Sequence, residues 1–80
     1  MVTVIDDAAS DEPEEGDLYT HDHRTVYVWG GRRKPALIVD DVARFNATVR
    51  AFMKRDNFFP NVWFISDHGN AHLIDINAPD

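Results

Sequence analysis

One amphipathic helix lies in the middle of a chain whose other apolar segments favour strands. At 100° per residue, five apolar residues fall within an arc of about 100°: Val42, Phe45, Val49, Phe52 and Met53. Asp40 and Asp41 precede this stripe and can cap the first turn, while Asn57 and Pro60 provide the stop. The pattern predicts a single helix of about 14–16 residues, and therefore one layer of helix in the fold.

Strand-forming residues precede the helix in two runs. Residues 25–29 are β-branched or aromatic throughout, and residues 36–39 form a second short apolar run. Gly30 and Gly31 end the first run, and Pro35 lies just before the second, where a missing backbone N–H is tolerated. These features predict a β-hairpin.

A second hairpin is predicted after the helix, from residues 62–66 and 71–76. A two-residue turn at Gly69 and Asn70 pairs Ile65 with Ile74, and it leaves Leu73 on the opposite face. The chain is therefore predicted to be an α+β protein with the order ββαββ. Its four-stranded sheet, antiparallel or mixed, carries one helix on one face.

The charge is divided between two parts of the chain. The first 23 residues hold eight acids and no lysine or arginine, whereas the remainder holds all eight basic residues and six acids. Such an acidic, weakly apolar segment buries too little surface to offset its ordering entropy. We therefore predict a flexible acidic tail at residues 1–22 and a compact domain at residues 23–80. Val2, Val4 and Ile5 are also compatible with a short edge strand.

Composition narrows the classes of protein to which this chain can belong. The 80 residues include no cysteine, which excludes disulfides and cysteine-ligated zinc. No run approaches the roughly 20 apolar residues of a membrane helix, and the N-terminus lacks the basic region of a signal peptide. We therefore expect a cytoplasmic protein that does not associate with membranes.

Large apolar residues occur on both faces of the predicted sheet, and one helix can cover only one face. Adjacent strand residues point to opposite faces, so some large aromatic side chains must face away from the helix. Such surfaces usually mark interfaces. The candidate partner-binding residues are Tyr27, Trp29, Trp63 and Phe64. The leading hypothesis is a small non-catalytic regulatory or accessory protein, of the kind that phages or mobile elements encode. It binds a protein partner, or itself as a homodimer, through this aromatic face.

A nucleic-acid-binding module is the alternative hypothesis. A basic loop and an outward basic helix face can contact phosphates while strand aromatics stack on bases. The candidate residues are Arg32, Arg33, Lys34, Arg50 and Lys54. The balance of +2 over residues 24–80 is small for a nucleic-acid-binding domain.

The histidines suggest a third class, a metalloprotein or small enzyme. Three imidazoles and a carboxylate can hold zinc, and the candidates are His21, His23, His68 and His72. Their spacing matches no established ligand pattern. Asp67 and His72 resemble an acid–base pair, but no nucleophile accompanies them, and Asp67 is explained as a turn residue. We therefore expect no catalytic residues, no metal and no cofactor.

Overall fold

The computed structural model describes residues 12–80, which form five strands and one helix. The strands are β1 (Leu18–Thr20), β2 (Thr25–Val28), β3 (Leu37–Ile38), β4 (Val62–Ile65) and β5 (Ala71–Leu73). The helix α1 (Phe45–Asp56) lies between β3 and β4 and follows a short 3-10 turn, Val42–Arg44. The predicted α+β class and the single helix are confirmed for this part of the chain.

The sheet has five strands rather than the predicted four. Their order is β3-β2-β1-β4-β5, and β1 pairs in parallel with β4 while the other neighbours are antiparallel. The additional strand is β1, which lies within the segment predicted to be a tail. Only three residues form it, and an acidic run precedes it, so its apolar signal is weak. Residues 1–11 of the predicted tail, which include the strand predicted at residues 2–5, lie outside the described residues.

The central position of β1 explains how so short a strand is held. Leu18 and Thr20 are completely buried, and β1 pairs with a neighbouring strand on each side. The ladder continues beyond the strand, since the Leu18 N–H donates to the Asn61 carbonyl and the Trp29 N–H to the Asp17 carbonyl. Burial and pairing thus compensate for the weak local signal.

The helical segment ends where the sequence predicts, but its first turn, Val42–Arg44, is 3-10 rather than α, so that α1 has 12 residues instead of the roughly 14–16 predicted. The Asp41 carboxylate accepts a hydrogen bond from the Ala43 N–H at 3.0 Å, and Asn57 adopts a left-handed φ of 53° at the C-terminus. Four residues of the predicted stripe are buried, whereas Val42 lies in the 3-10 turn and is partly exposed. The helix therefore packs its predicted face on the sheet.

The last residues fasten the helix to the sheet. The Asp80 carboxylate accepts hydrogen bonds from the N–H groups of Asn46 (2.8 Å) and Ala47 (3.1 Å) in the first helical turn. The Arg50 guanidinium donates to the carbonyls of Ile76 and Ala78. Residues 74–80 therefore act as a strap that satisfies free donors at the helix N-terminus.

The second hairpin forms, but the predicted register is wrong. Trp63 pairs with Leu73 and Ile65 with Ala71, three positions away from the pairing that a two-residue turn gives. The loop has three residues instead of two, because the Ser66 N–H donates to the Asn70 carbonyl. The Ser66 carbonyl in turn accepts a hydrogen bond from the Gly69 N–H. Gly69 supplies the positive φ of 83° that a three-residue loop requires. The odd shift moves Leu73 to the face that bears Trp63.

One continuous core lies between the helix and the sheet. Its buried members are Leu18, Val26, Val39, Phe45, Val49, Phe52, Met53 and Val62, and Val28, Leu37 and Ile74 pack against them. We call the sheet face that contacts this core the helix side. Within residues 12–80, no helix combines the length and the apolar character needed to cross a bilayer.

Candidate partner-binding site

The strand register defines a second face of the sheet, which points away from the helix. Side chains of directly paired residues share a face, and the pairs Tyr19–Tyr27, Tyr19–Trp63, Trp63–Leu73 and Thr25–Ile38 alternate with pairs of core residues. We call this surface the outer face. Its large side chains are Tyr19, Tyr27, Trp29, Ile38, Trp63, Ile65 and Leu73.

Exposure differs sharply across the outer face. Ile38 at one edge is 55% exposed, Leu73 at the other edge is 53% exposed, and Trp29 is 37% exposed. Trp63 and Ile65, by contrast, are buried. The outer face therefore presents apolar side chains to water from one edge strand to the other, around a buried centre.

Aromatic rings contact one another in the middle of the outer face. The Tyr19 and Tyr27 rings stack with centroids 5.5 Å apart, and the Trp29 ring lies edge-on to Tyr19 at 5.2 Å. The His21 ring also meets Tyr19 edge-on, at 5.7 Å. Such contacts hold the rings in defined orientations, which lowers the entropic cost of binding.

Trp63 is anchored by a hydrogen bond within the outer face. Its indole N–H donates to the Asp17 carboxylate at 3.1 Å, and only 2% of the residue is exposed. A buried indole donor needs such a partner. Trp63 is therefore a structural support beneath the exposed residues rather than a contact residue.

The four predicted partner-binding residues do not share one face. Tyr27 and Trp29 lie on the outer face together with the buried Trp63, but Phe64 lies on the helix side. There it stacks on His23 at 5.0 Å and on His72 at 6.5 Å. The alternation of adjacent residues in β4 separates Trp63 from Phe64.

The predicted nucleic-acid residues are likewise divided. Arg33 lines a cavity of about 280 Å³ together with Tyr19, His21 and Tyr27, so one member of the basic loop reaches the outer face. Arg50 is bound to the carbonyls of the strap, and Lys54 lies beside it next to Phe59. The structure therefore does not bring the five basic residues to one surface.

The predicted histidine set is split by the turn between β1 and β2. His21 lies beside Tyr19 on the outer face, whereas His23, at a left-handed φ of 60°, meets Phe45 edge-on at 4.9 Å on the helix side. His68 and His72 border a shallow groove near the tip of the second hairpin. Among residues 12–80, no three His, Asp or Glu side chains are grouped closely enough to hold a metal ion.

Asp22 fixes the turn between β1 and β2, which orients His21 and His23. Its carboxylate accepts hydrogen bonds from the Thr25 and Arg24 N–H groups, both at 2.9 Å, and from the hydroxyl of buried Thr20 at 3.3 Å. The backbone bonds, that of Thr25 foremost, hold the pKa of Asp22 below its usual value. The charged carboxylate is thus a structural part of the turn.

Sequence reasoning missed several residues of the outer face. Tyr19 lies in the strand assigned to the tail, and Leu73 was assigned to the other face by the incorrect register. A detectable signal for β1 was the alternation of Leu18 and Thr20 with Tyr19 and His21, just after Gly16. No local pattern indicates that Arg33 lines the same cavity as Tyr27, since its position depends on the path of the loop.

Comparison of the chain with models of known protein families, with curated proteins and with solved structures finds no match.

Proposed function

We propose that this chain is a small, non-catalytic binding protein of the cytoplasm that engages a protein partner through the outer face of its sheet. The observation that carries the proposal is the row of exposed apolar side chains on that face, Ile38, Trp29 and Leu73. The Trp29 ring also contacts Tyr19, which in turn stacks on Tyr27. Among the described residues, the one helix packs on the opposite side.

The chemistry of the outer face suits a protein surface. Exposed aliphatic side chains at both sheet edges offer apolar area, and the tyrosines and Trp29 combine apolar area with polar groups. Aromatic residues of this kind often carry most of the energy of an interface. A second copy of the chain is one such partner, and a different protein is the other.

Nucleic-acid binding is a second candidate, which the position of Arg33 beside Tyr19 and Tyr27 favours. A phosphate at Arg33 and a base on the tyrosines would combine charge with stacking. Against it, Arg50 and Lys54 lie elsewhere, and the carboxylate of Asp17 occupies the outer face next to Trp63. We therefore rank it below protein binding.

Alanine substitution at the exposed residues tests the proposal. We expect Trp29→Ala and Leu73→Ala each to weaken self-association or capture of a protein partner by about tenfold or more, as at interface hot spots. Val42→Ala is the matched control, because this exposed apolar residue lies in the 3-10 turn rather than on the outer face. Sedimentation at increasing protein concentration reports self-association, and quantitative affinity capture reports other partners.

Circular dichroism must show that each variant keeps its fold. The proposal fails if both outer-face variants match the wild type in sedimentation and capture. It also fails if Val42→Ala reduces binding as strongly as they do. Trp63→Ala is unsuited to this test, because removal of a buried indole would destabilise the whole sheet.

A further inference from the structure

The cavity beside the tyrosine stack has walls of contrasting chemistry. Tyr19 and Tyr27 supply flat apolar rings with hydroxyl groups, and Arg33 supplies a guanidinium. His21 completes the lining, and its Nδ1 lies 3.3 Å from the Ile65 carbonyl. A carbonyl only accepts hydrogen bonds, so this contact is a hydrogen bond in the tautomer that carries a proton on Nδ1, and the second ring nitrogen takes no part in it.

Among residues 12–80, the lining of this cavity includes a positive group and no acidic side chain. Within residues 12–80, Arg33 forms no ion pair, the only one described being Arg55 with Asp56. The acid nearest in sequence to His21 is Asp22, whose carboxylate is taken up by the backbone of its own turn. A guanidinium among phenols and an imidazole favours an anionic group, to which it donates paired hydrogen bonds.

The surroundings of the cavity restrict the kind of anion. Ile38 and Leu73, at the two sheet edges, offer apolar rather than cationic contacts. At the Trp29 end of the face, Asp17 bonds to Trp63 and the Glu15 side chain packs against Gly30. These carboxylates repel a long polyanion such as a nucleic acid, which would bring several phosphates along the face, more strongly than they repel a single negative charge held at Arg33.

We infer that the cavity of Tyr19, His21, Tyr27 and Arg33 binds one carboxylate of an acidic residue in a partner protein, with apolar neighbours of that residue on the outer face. The inference rests on the proposed function and names the chemistry of its partner. Arg33 fixes the carboxylate, and the tyrosine rings contact the adjoining side chains. The site thereby sets the register of the partner along the sheet.

A pair of synthetic peptides tests this inference with the full chain. One amidated peptide carries a single glutamate between leucines, and the other carries glutamine at that position. Nuclear magnetic resonance titration of the isotope-labelled protein gives both affinities and the residues contacted. We expect the glutamate peptide to bind about fivefold or more tightly than the glutamine peptide, as for an ion-paired hydrogen bond.

Two variants of the basic loop locate the charge. Arg33→Gln removes the preference for glutamate, whereas Arg32→Gln, the neighbouring arginine outside the cavity lining, retains it. A variant with Asp6, Asp7 and Asp11 changed to asparagine tests competition by the acidic residues of the chain itself. Under the inference, the preference for glutamate persists in that variant.

The outcomes separate this inference from the proposed function. Equal binding of both peptides at the outer face overturns the carboxylate site but supports an apolar binding face. Absence of binding by either peptide overturns the carboxylate site, while the sedimentation and capture experiments judge the binding face independently. Tighter binding of an oligothymidylate, with a steep loss of affinity in salt, overturns the inference in favour of nucleic acid.

Discussion

The two faces of this sheet are built from the same strands, yet they differ in how completely they are covered. On the helix side, Leu18, Val26 and Val62 are buried beneath α1. On the outer face, Leu73 in the edge strand β5 and Trp29, the residue after β2, remain in contact with water. A chain with one helix completes one core, and the alternation of its strands gives the opposite face a different use.

The difference in composition between the faces is as informative as the difference in burial. The helix side is mostly aliphatic, whereas the outer face combines tyrosines, tryptophans and an arginine with aliphatic residues at its edges. Aliphatic side chains fill a core efficiently, while aromatic and arginine side chains retain polar groups for recognition. The composition of the helix side therefore suits a stabilising core, and that of the outer face suits a binding surface.

Replacement of one leucine on each face should give the largest difference in stability. Leu18→Ala removes a completely buried side chain and should lower the free energy of unfolding by about 2–5 kcal/mol. Leu73→Ala removes a side chain that is half exposed and should cost less than about 1 kcal/mol. Urea denaturation followed by circular dichroism measures both. Equal losses would contradict the assignment of the two faces.

Loss of the hydrogen bond between Trp63 and Asp17 should cause the next largest decrease in stability, because this bond supports the buried centre of the outer face. Asp17→Ala leaves a buried indole N–H without its partner and should cost about 1–2 kcal/mol. Asp17→Asn keeps an acceptor and should recover part of this loss. In a Trp63→Phe background the indole donor is gone, so Asp17→Ala should then cost less, and the remaining loss reflects the exposed hydrogen bond from the Glu14 N–H to the same carboxylate. An undiminished effect in that background would show that Asp17 acts elsewhere.

Release of the strap should affect the helix side alone. Asp80→Ala removes the acceptor of two N–H groups in the first turn of α1 and should lower stability by about 0.5–1 kcal/mol. Asp56→Ala, at the opposite end of the helix, is the matched control and should be nearly neutral. Chemical shifts of Tyr19 and Tyr27 should not change in either variant. Equal effects of the two substitutions would contradict the capping role.

The smallest expected effect concerns the turn between β1 and β2, which places His21 on the outer face and His23 on the helix side. Because the pKa of Asp22 is lower in the folded chain, its contribution to stability is present above the ordinary aspartate pKa of about 4. That contribution is lost as the pH falls through the lowered, folded-state value. Asp22→Asn should therefore be less stable than the wild type near neutral pH, and the difference should shrink in acid. Thermal melts across this pH range measure it, and a difference independent of pH would contradict the role of the charge.

Local signals were sufficient for the helix and for the existence of both hairpins. Asp41 caps the 3-10 turn that leads into the helix and Asn57 ends the helix, because each effect depends only on neighbouring residues. The strand β1 was missed because its stability comes from pairing with β4, more than forty positions away in the chain. The register of the second hairpin was missed because Gly69 serves a three-residue loop as well as a two-residue one.

The candidate site was predicted less completely than the fold. An aromatic face opposite the helix follows from strand alternation, and Tyr27 and Trp29 lie on it. Its polar part was not predictable, because Arg33 reaches Tyr19 and Tyr27 through an irregular loop. Loop paths depend on distant contacts, so a sequence pattern carries little information about them.

Fluorescence quenching of the two tryptophans tests most directly whether the outer face is exposed to water in the free protein and is covered when a partner binds. The chain has only Trp29 and Trp63, so Trp63→Phe and Trp29→Phe each leave one reporter on the same face. In the unbound protein, acrylamide should quench Trp29 strongly and Trp63 weakly, and binding of a partner should protect Trp29 while leaving Trp63 unchanged. Equal protection of both tryptophans before binding, or quenching of Trp29 that binding does not alter, would contradict the account.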